Sequence, residues 1–138
     1  MKKIYSVIVA LVLICIIMIT FFLLSDYKKV SLIEEESYFR SHKVNSSKVF
    51  FDYLITLENG SNEPKEVRIT ANLKKEYDTG LIEEPQLEGR NKQNGSHSFI
   101  IPAETTKACE VEFIGTFRGN YHRASKELPE LFITEIDR

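Results

Sequence analysis

The chain is poor in cysteine, the residue that usually stabilises small exported domains by cross-linking. It has only two cysteines, Cys15 and Cys109, and it also lacks tryptophan. Cys15 lies within a long apolar run and Cys109 lies far along the polar part, so a disulfide framework is excluded. Cys109 shares its parity with Val111 and Phe113, which predicts a buried, hydrophobic role for its side chain. A folded body must therefore depend on its apolar core.

Sequence motifs for catalysis and metal binding are also lacking. The chain contains no His-x-x-x-His, Cys-x-x-Cys, His-Glu-x-x-His or Gly-x-Ser-x-Gly pattern and no glycine-rich phosphate loop. Carboxylates cluster at residues 34–36, at residues 83–84 and at Glu110 with Glu112, without the spacing of a calcium loop. We interpret these clusters as solvated faces. The sequence predicts no catalytic residues, no cofactor and no metal site, and hence a protein that is not an enzyme.

Basic charge is scarce as well. The chain has 18 Lys and Arg against 20 Asp and Glu, and all of the acidic residues lie at or after Asp26. Because Lys2 and Lys3 precede the apolar run, the part from Asp26 onward carries 16 − 20 = −4. A nucleic-acid-binding domain is expected to show a basic patch and a high isoelectric point. We therefore expect no nucleic-acid partner.

What the chain does have is one long apolar run at residues 4–24, which contains 21 residues without charge, proline or glycine. At about 1.5 Å per residue, a helix of this length matches the hydrocarbon core of a bilayer. The run exceeds the apolar region of a secretory signal and is not followed by paired small residues. It is predicted to be an uncleaved signal anchor that crosses the membrane once.

The orientation of this anchor is predicted from its flanks. Lys2 and Lys3 lie before the run and Lys28 and Lys29 lie after it, so the positive-inside rule almost balances. The very short tail, residues 1–3, favours a cytoplasmic N-terminus. Residues 25–43 are interpreted as a juxtamembrane stalk or edge strand, although a helical extension of the anchor is an alternative. The prediction is a single-pass cell-membrane protein with an extracytoplasmic C-terminal domain.

Residues 44–138 are predicted to form that domain, because short runs of alternating polarity recur along them. Odd positions from Val49 to Leu57 are all apolar, and so are odd positions from Val67 to Leu73. Asn59 and Gly60 between the two runs predict a β-hairpin. Further strands are expected near Leu81, at residues 97–101, at residues 108–117 and at residues 131–136. Residues 89–96 and residues 118–125 are expected to be exposed polar loops.

About seven short strands with regular turn signals are typical of an antiparallel β-sandwich. The spacing resembles an immunoglobulin-like sandwich in size and architecture, without the Cys…Trp…Cys pattern of true immunoglobulin domains. Residues 49–57, the Asn59-Gly60 turn and residues 67–73 also resemble the FxLYD-like modules of membrane-anchored bacterial extracytoplasmic proteins. The resemblance implies an all-β fold behind a transmembrane helix. A small barrel is the alternative.

The predicted function is a non-catalytic interaction or scaffolding module that engages another envelope or membrane protein beside the bilayer. An exposed sheet edge or the two polar loops would provide the contact, and the expected contact residues are Arg118, Tyr121, His122 and Arg123. The alternative is a sensory domain for a small molecule, ion or cell-wall component, which would need a concave pocket lined by Phe50, Phe99 or Tyr121. Three Asn-x-Ser triplets, at Asn45, Asn59 and Asn94, are interpreted as turn chemistry rather than glycosylation sites. The oligomeric state is left open.

Overall fold

A computed structural model of the chain describes residues 1–26, 29–120 and 123–137. The apolar run forms a single helix, α1, from Lys2–Asp26. It contains neither proline nor glycine, the two residues that most disfavour a helix interior. Its side chains are apolar on all sides. The segment Lys2–Leu23, 22 residues, is long and apolar enough to cross a membrane. The predicted apolar helix is confirmed.

The remaining described residues are mostly antiparallel β-structure, as predicted. Eight strands form where about seven are expected. They are β1 (Val30–Leu32), β2 (Tyr38–Asn45), β3 (Lys48–Asn59), β4 (Lys65–Asn72), β5 (Gln86–Asn91), β6 (Phe99–Ile101), β7 (Thr105–Thr116) and β8 (Glu130–Glu135). A 3₁₀ turn at Glu34–Glu36 and a five-residue helix, α2 (Lys74–Asp78), were not predicted.

The strands join into one curled sheet with two halves. In the β3 half, β3 pairs with β7 along its whole length and with β1 and β2 on its other edge. In the β4 half, β4 pairs with β8 on one edge and with β5 and β6 on the other. Strand β5 joins the halves because Gln86–Glu88 pair with β4 whereas Gly89–Asn91 pair with β7.

The two ends of this curled sheet approach each other. The backbone N–H of Val30, in β1, donates to Glu135 Oε1, in β8, at 3.2 Å. Strand β1 is the first strand after α1. The bond to Glu135 therefore ties the beginning of the β-structure to β8. Of residues 25–43, interpreted as a stalk or edge strand, residues 30–32 and 38–43 thus lie in the sheet.

The core lies between the two halves and is built from the odd positions of β3 and β7, together with matching positions of β4. Phe51, Ile55 and Phe113 are fully buried. Phe39 and Phe113 pack edge-on against Tyr53, with ring centroids 5.4 and 5.7 Å away. Burial raises the pKa of the Tyr53 hydroxyl. Cys109 is buried among these residues, as predicted, and burial raises the pKa of its thiol.

The predicted hairpin between β3 and β4 is wrong. Both strands exist, but neither pairs with the other, because β1, β2 and β7 occupy the two edges of β3. The fully buried Asn59 side chain redirects the chain instead. Its Oδ1 accepts from Ser61 N and Ser61 Oγ, and its Nδ2 donates to the carbonyl of Glu63 at 2.8 Å. The actual tight hairpin joins β2 to β3 through Ser46, which has a φ of 52°.

Two other predictions also need correction. Residues 89–96 are not an exposed loop throughout, because Gly89–Asn91 belong to β5 and pair with β7. The Gly89 position lacks room for a side chain, since a Cβ there would lie 2.7 Å from Val111 Cγ1. Near Leu81, the expected strand is reduced to one bridge between Ile82 and Phe117.

Candidate functional site

A row of polar side chains crosses the outer face of the β3 half, which is the face away from the core. The strand register aligns Ser41 of β2 with Asp52 of β3, Asp52 with Glu112 of β7, and Glu112 with Arg90 of β5. We call these four residues the Asp52 row. Two carboxylates, Asp52 and Glu112, are therefore direct cross-strand neighbours. Like charges in this relation destabilise a sheet unless cations compensate for them.

A bulge in β2 brings a fifth residue to the row. The β2–β3 register shifts between Phe39 and Ser41, so Arg40 is an extra residue in β2. Phe39 packs toward the core, whereas Arg40 and Ser41 both lie on the outer face. Bulges commonly redirect a side chain in this way beside functional sites.

Three cations compensate for the carboxylates of this face. Lys92 Nζ donates to Asp52 Oδ2 at 2.6 Å, and Arg40 Nη1 donates to Glu110 Oε1 at 2.6 Å. Arg90 Nη2 bonds Glu112 Oε1. The hydrogen bond to Asp52 raises the pKa of Lys92, and the hydrogen bond from Arg40 lowers the pKa of Glu110. The face is thus a network of alternating charges rather than a patch of one sign.

Asp52 differs from the other charged residues of the network because it is 93% buried, with 7% of its surface exposed. Its Oδ2 receives Lys92, but its Oδ1 is shielded from solvent and has no hydrogen-bond partner among the residues that the structure describes. A buried acceptor without a donor costs about 1–3 kcal/mol. An exception of this kind in a native fold calls for a specific explanation.

A shallow concavity lies over the row. Its volume is about 290 Å³, and we call it the Asp52 concavity. Its walls are formed by a hydroxyl, an amide, two ammonium groups, two carboxylates and one aromatic ring, which belong to Ser41, Asn45, Lys43, Lys92, Asp52, Glu112 and Phe50. Phe50 is half-buried and lies between Lys43 and Ile114 in the register. The concavity is small, uncharged overall and rich in hydrogen-bonding groups.

Of the four predicted contact residues, the structure describes two, Arg118 and Arg123. Arg118 is exposed and stacks over the Tyr77 ring, with 5.6 Å from Cζ to the ring centroid. Arg123 is exposed and lies beside Thr79 and Ser125. Tyr121 and His122 lie outside the described residues. The proposed contact at this loop therefore remains a prediction.

Of the aromatics expected to line a pocket, Phe50 does so and Phe99 does not, because Phe99 is 2% exposed in the core. The sequence did carry one signal of the site, namely an aspartate among the mostly apolar residues 49–57 of strand β3. Polar residues 89–96 were expected to provide a contact surface. Two of them, Arg90 and Lys92, belong to the charge network around Asp52.

Within the described ranges, no group of three or more His, Cys, Asp or Glu side chains is placed to hold a metal ion.

Comparison of the chain with protein-family models, with curated proteins and with solved structures found no match.

Proposed function

We propose that this protein is a non-catalytic binding domain, anchored in the cell membrane by α1 and displayed outside the cytoplasm. The observation that supports the anchor is the exposure of α1. Its fifteen Val, Leu, Ile, Met and Phe side chains between residues 4 and 23 are each at least 53% exposed. Burial of such a side chain contributes about 1.5–3 kcal/mol, so leaving the helix in water would cost on the order of tens of kcal/mol. A bilayer removes that cost.

Membrane fractionation tests the anchor. We expect the full-length chain of 16.0 kDa to stay in the membrane pellet after alkaline carbonate extraction. A soluble product that begins after residue 24 would show instead that α1 is a cleaved signal. Protease added to intact cells should digest the part after α1. Protection until lysis would overturn the extracytoplasmic placement.

Of the two predicted roles, ligand binding has the more specific support. The observation is the Asp52 concavity, which combines a buried, half-partnered carboxylate with the half-buried Phe50 ring. A few placed polar groups beside an apolar surface are typical of small-molecule sites. We therefore favour a domain that binds a small ligand at the membrane surface. Calorimetric titration of the chain with saccharides, a dipeptide and phosphate tests this role.

The scaffolding role is supported by strand β2. Among the described strands it pairs with β3 alone, and six of its eight residues are exposed. Such an edge can accept a strand from an envelope or membrane protein. If this role is correct, affinity purification from solubilised membranes recovers a stoichiometric partner. A His42→Pro change, which removes a backbone donor that the register directs away from β3, weakens the recovery. No partner in repeated purifications would count against it.

We also propose that the curled sheet belongs to the immunoglobulin-like sandwich class. The partner change of β5, from β4 to β7, supports two packed halves rather than one flat sheet. An experimental structure tests this assignment. Two facing sheets with aligned strands would support it, whereas continuous pairing around a closed barrel would reject it.

A further inference from the structure

We propose that the Asp52 concavity binds a neutral saccharide, with one sugar hydroxyl bridging Asp52 Oδ1 and Lys92 Nζ. This inference rests on the proposed binding role and names the ligand class. It starts from Asp52 Oδ1, the shielded oxygen that has no partner in the described chain. Asp52 belongs to the wall of the concavity, so a small rotation of its carboxylate would turn this oxygen toward a ligand there.

The chemical nature of the missing group follows from the neighbouring charge. Lys92 Nζ lies 2.6 Å from Asp52 Oδ2 and, as an ammonium group, still has two donors to offer. An incoming ammonium group could donate to Oδ1 but would be repelled by Lys92. An incoming carboxylate or phosphate could accept from Lys92 but would be repelled by Asp52 and Glu112. A hydroxyl both donates and accepts at one atom, so it satisfies Asp52 and Lys92 together without breaking their ion pair.

The rest of the concavity favours a ring that carries several hydroxyls. Phe50 is two residues from Asp52 on the same face of β3, and its half-buried ring offers a flat apolar surface. Ser41 and Asn45 add a hydroxyl and an amide to the lining. A sugar ring presents an apolar C–H face together with hydroxyls at its edge, which matches this combination. The volume of about 290 Å³ is at the lower end of the range for ligand pockets, which is about 300–1,000 Å³. It suits one or two sugar residues.

The test uses the full chain in phospholipid nanodiscs, because detergents with sugar headgroups would compete for the site. The probes are maltotriose and the trisaccharide of N-acetylglucosamine, with the dipeptide Ala-Ala and inorganic phosphate as charged comparisons. Binding is followed by calorimetry and by amide chemical shifts of β2, β3 and residues 89–93. We expect saturable binding of at least one saccharide and no saturable binding of the dipeptide or phosphate.

Two variants and one control locate the site. Asp52→Asn removes the acceptor charge, and Lys92→Met removes the ammonium donor from a half-exposed side chain. Each should weaken saccharide binding about tenfold or more, as expected for a hydrogen bond to a charged group. The control is Glu58→Gln, an exposed carboxylate on the same strand and face, which should leave the affinity unchanged. Lys92→Met keeps the test decisive if Asp52→Asn fails to fold.

Several results would overturn the inference. Saccharide binding that both variants leave unchanged would place the sugar elsewhere, and binding of only Ala-Ala or phosphate would replace the hydroxyl argument with a charge argument. Absence of saturable binding by either saccharide would reject a saccharide site at Asp52. None of these results affects the anchor, because carbonate extraction and protease accessibility test it separately. A positive saccharide result with a soluble, cleaved chain would reject the anchor alone.

Discussion

Two of the buried polar side chains of strand β3, Asn59 and Asp52, lie on opposite faces of the sheet, and the contrast between them separates structure from function. Asn59 faces inward, is completely buried, and makes five hydrogen bonds to Ser61, Glu63, Ile101 and Pro102. Asp52 faces outward, is 7% exposed, and leaves one oxygen without a partner in the described structure. A fully satisfied polar group fixes the path of the chain, whereas a half-satisfied one is available to a ligand.

The largest expected effect is that of Asn59→Ala, which tests the structural side of this contrast. The change removes the amide donor from the carbonyls of Glu63 and Ile101 and the acceptor from the Ser61 backbone N–H. The Ser61 hydroxyl still bonds Glu63, and the Pro102 carbonyl still accepts from Thr105 Oγ1. We expect the free energy of unfolding to fall by about 3–5 kcal/mol. The measurement is urea unfolding of the full chain in nanodiscs, followed by near-UV circular dichroism of the tyrosines.

Asn62→Ala is the matched control, because Asn62 is an exposed amide in the same turn. It should change the free energy of unfolding by no more than about 0.5 kcal/mol. If Asn59→Ala were as mild as this control, the side chain would not fix the crossing from β3 to β4.

A smaller effect is expected where the inner face leaves no room for a side chain. In Gly89→Ala, the new methyl group would approach Val111 Cγ1 and Phe113 Cε1 at 2.7 and 3.1 Å. Overpacking of this kind costs about 1–3 kcal/mol. Glu88→Ala, at the neighbouring exposed position, is the control for the same urea measurement. A Gly89→Ala chain as stable as that control would show that β5 can move away from β7.

Asp52→Asn should have a still smaller effect on stability, which is the sharpest test of the contrast. The change removes one of two facing carboxylates, and Lys92, whose side chain is 45% exposed, can turn to solvent. We expect a change of at most about 1 kcal/mol in the free energy of unfolding, in either direction. A loss comparable with that of Asn59→Ala would make Asp52 a structural residue.

The smallest effect concerns pH. The hydrogen bond from Arg40 lowers the pKa of Glu110, so ionised Glu110 stabilises the fold above its unfolded pKa. That stabilisation is lost as the pH falls through the folded pKa. Between about pH 5 and pH 3, the melting temperature of the natural chain should fall slightly more than that of Glu110→Gln. Glu58→Gln should behave like the natural chain, and an equal fall in all three would show that the Arg40–Glu110 pair is not coupled to folding.

Features that depend on local periodicity could be predicted from the sequence. The apolar run determines α1, and the alternation of Val49, Phe51 and Tyr53 determines which face of β3 is buried. The choice of strand partners could not be predicted, because it depends on contacts distant in sequence. Asn59 and Gly60 match the signature of a hairpin, yet the side chain of Asn59 finds carbonyl groups more than 40 residues away.

The site was harder to predict than the fold for the same reason. Its residues come from four separate segments, and all of them except Asp52 are unremarkable within their own segments. Lys92 lies in a polar stretch, Glu112 alternates with apolar residues, and Arg40 reaches the outer face only because β2 contains a bulge. Asp52 was the single local anomaly. Only the strand register brings these residues into one row.

The bond from Val30 to Glu135 also sets an order of events during biosynthesis. It joins residues 105 positions apart, and β8 leaves the ribosome after the other strands that the structure describes. Strand β1 therefore cannot reach its final contacts until β8 has been made. If α1 is the anchor proposed above, we expect it to enter the bilayer while the polar segment behind it is still unfolded. The β-structure would then fold as one late event.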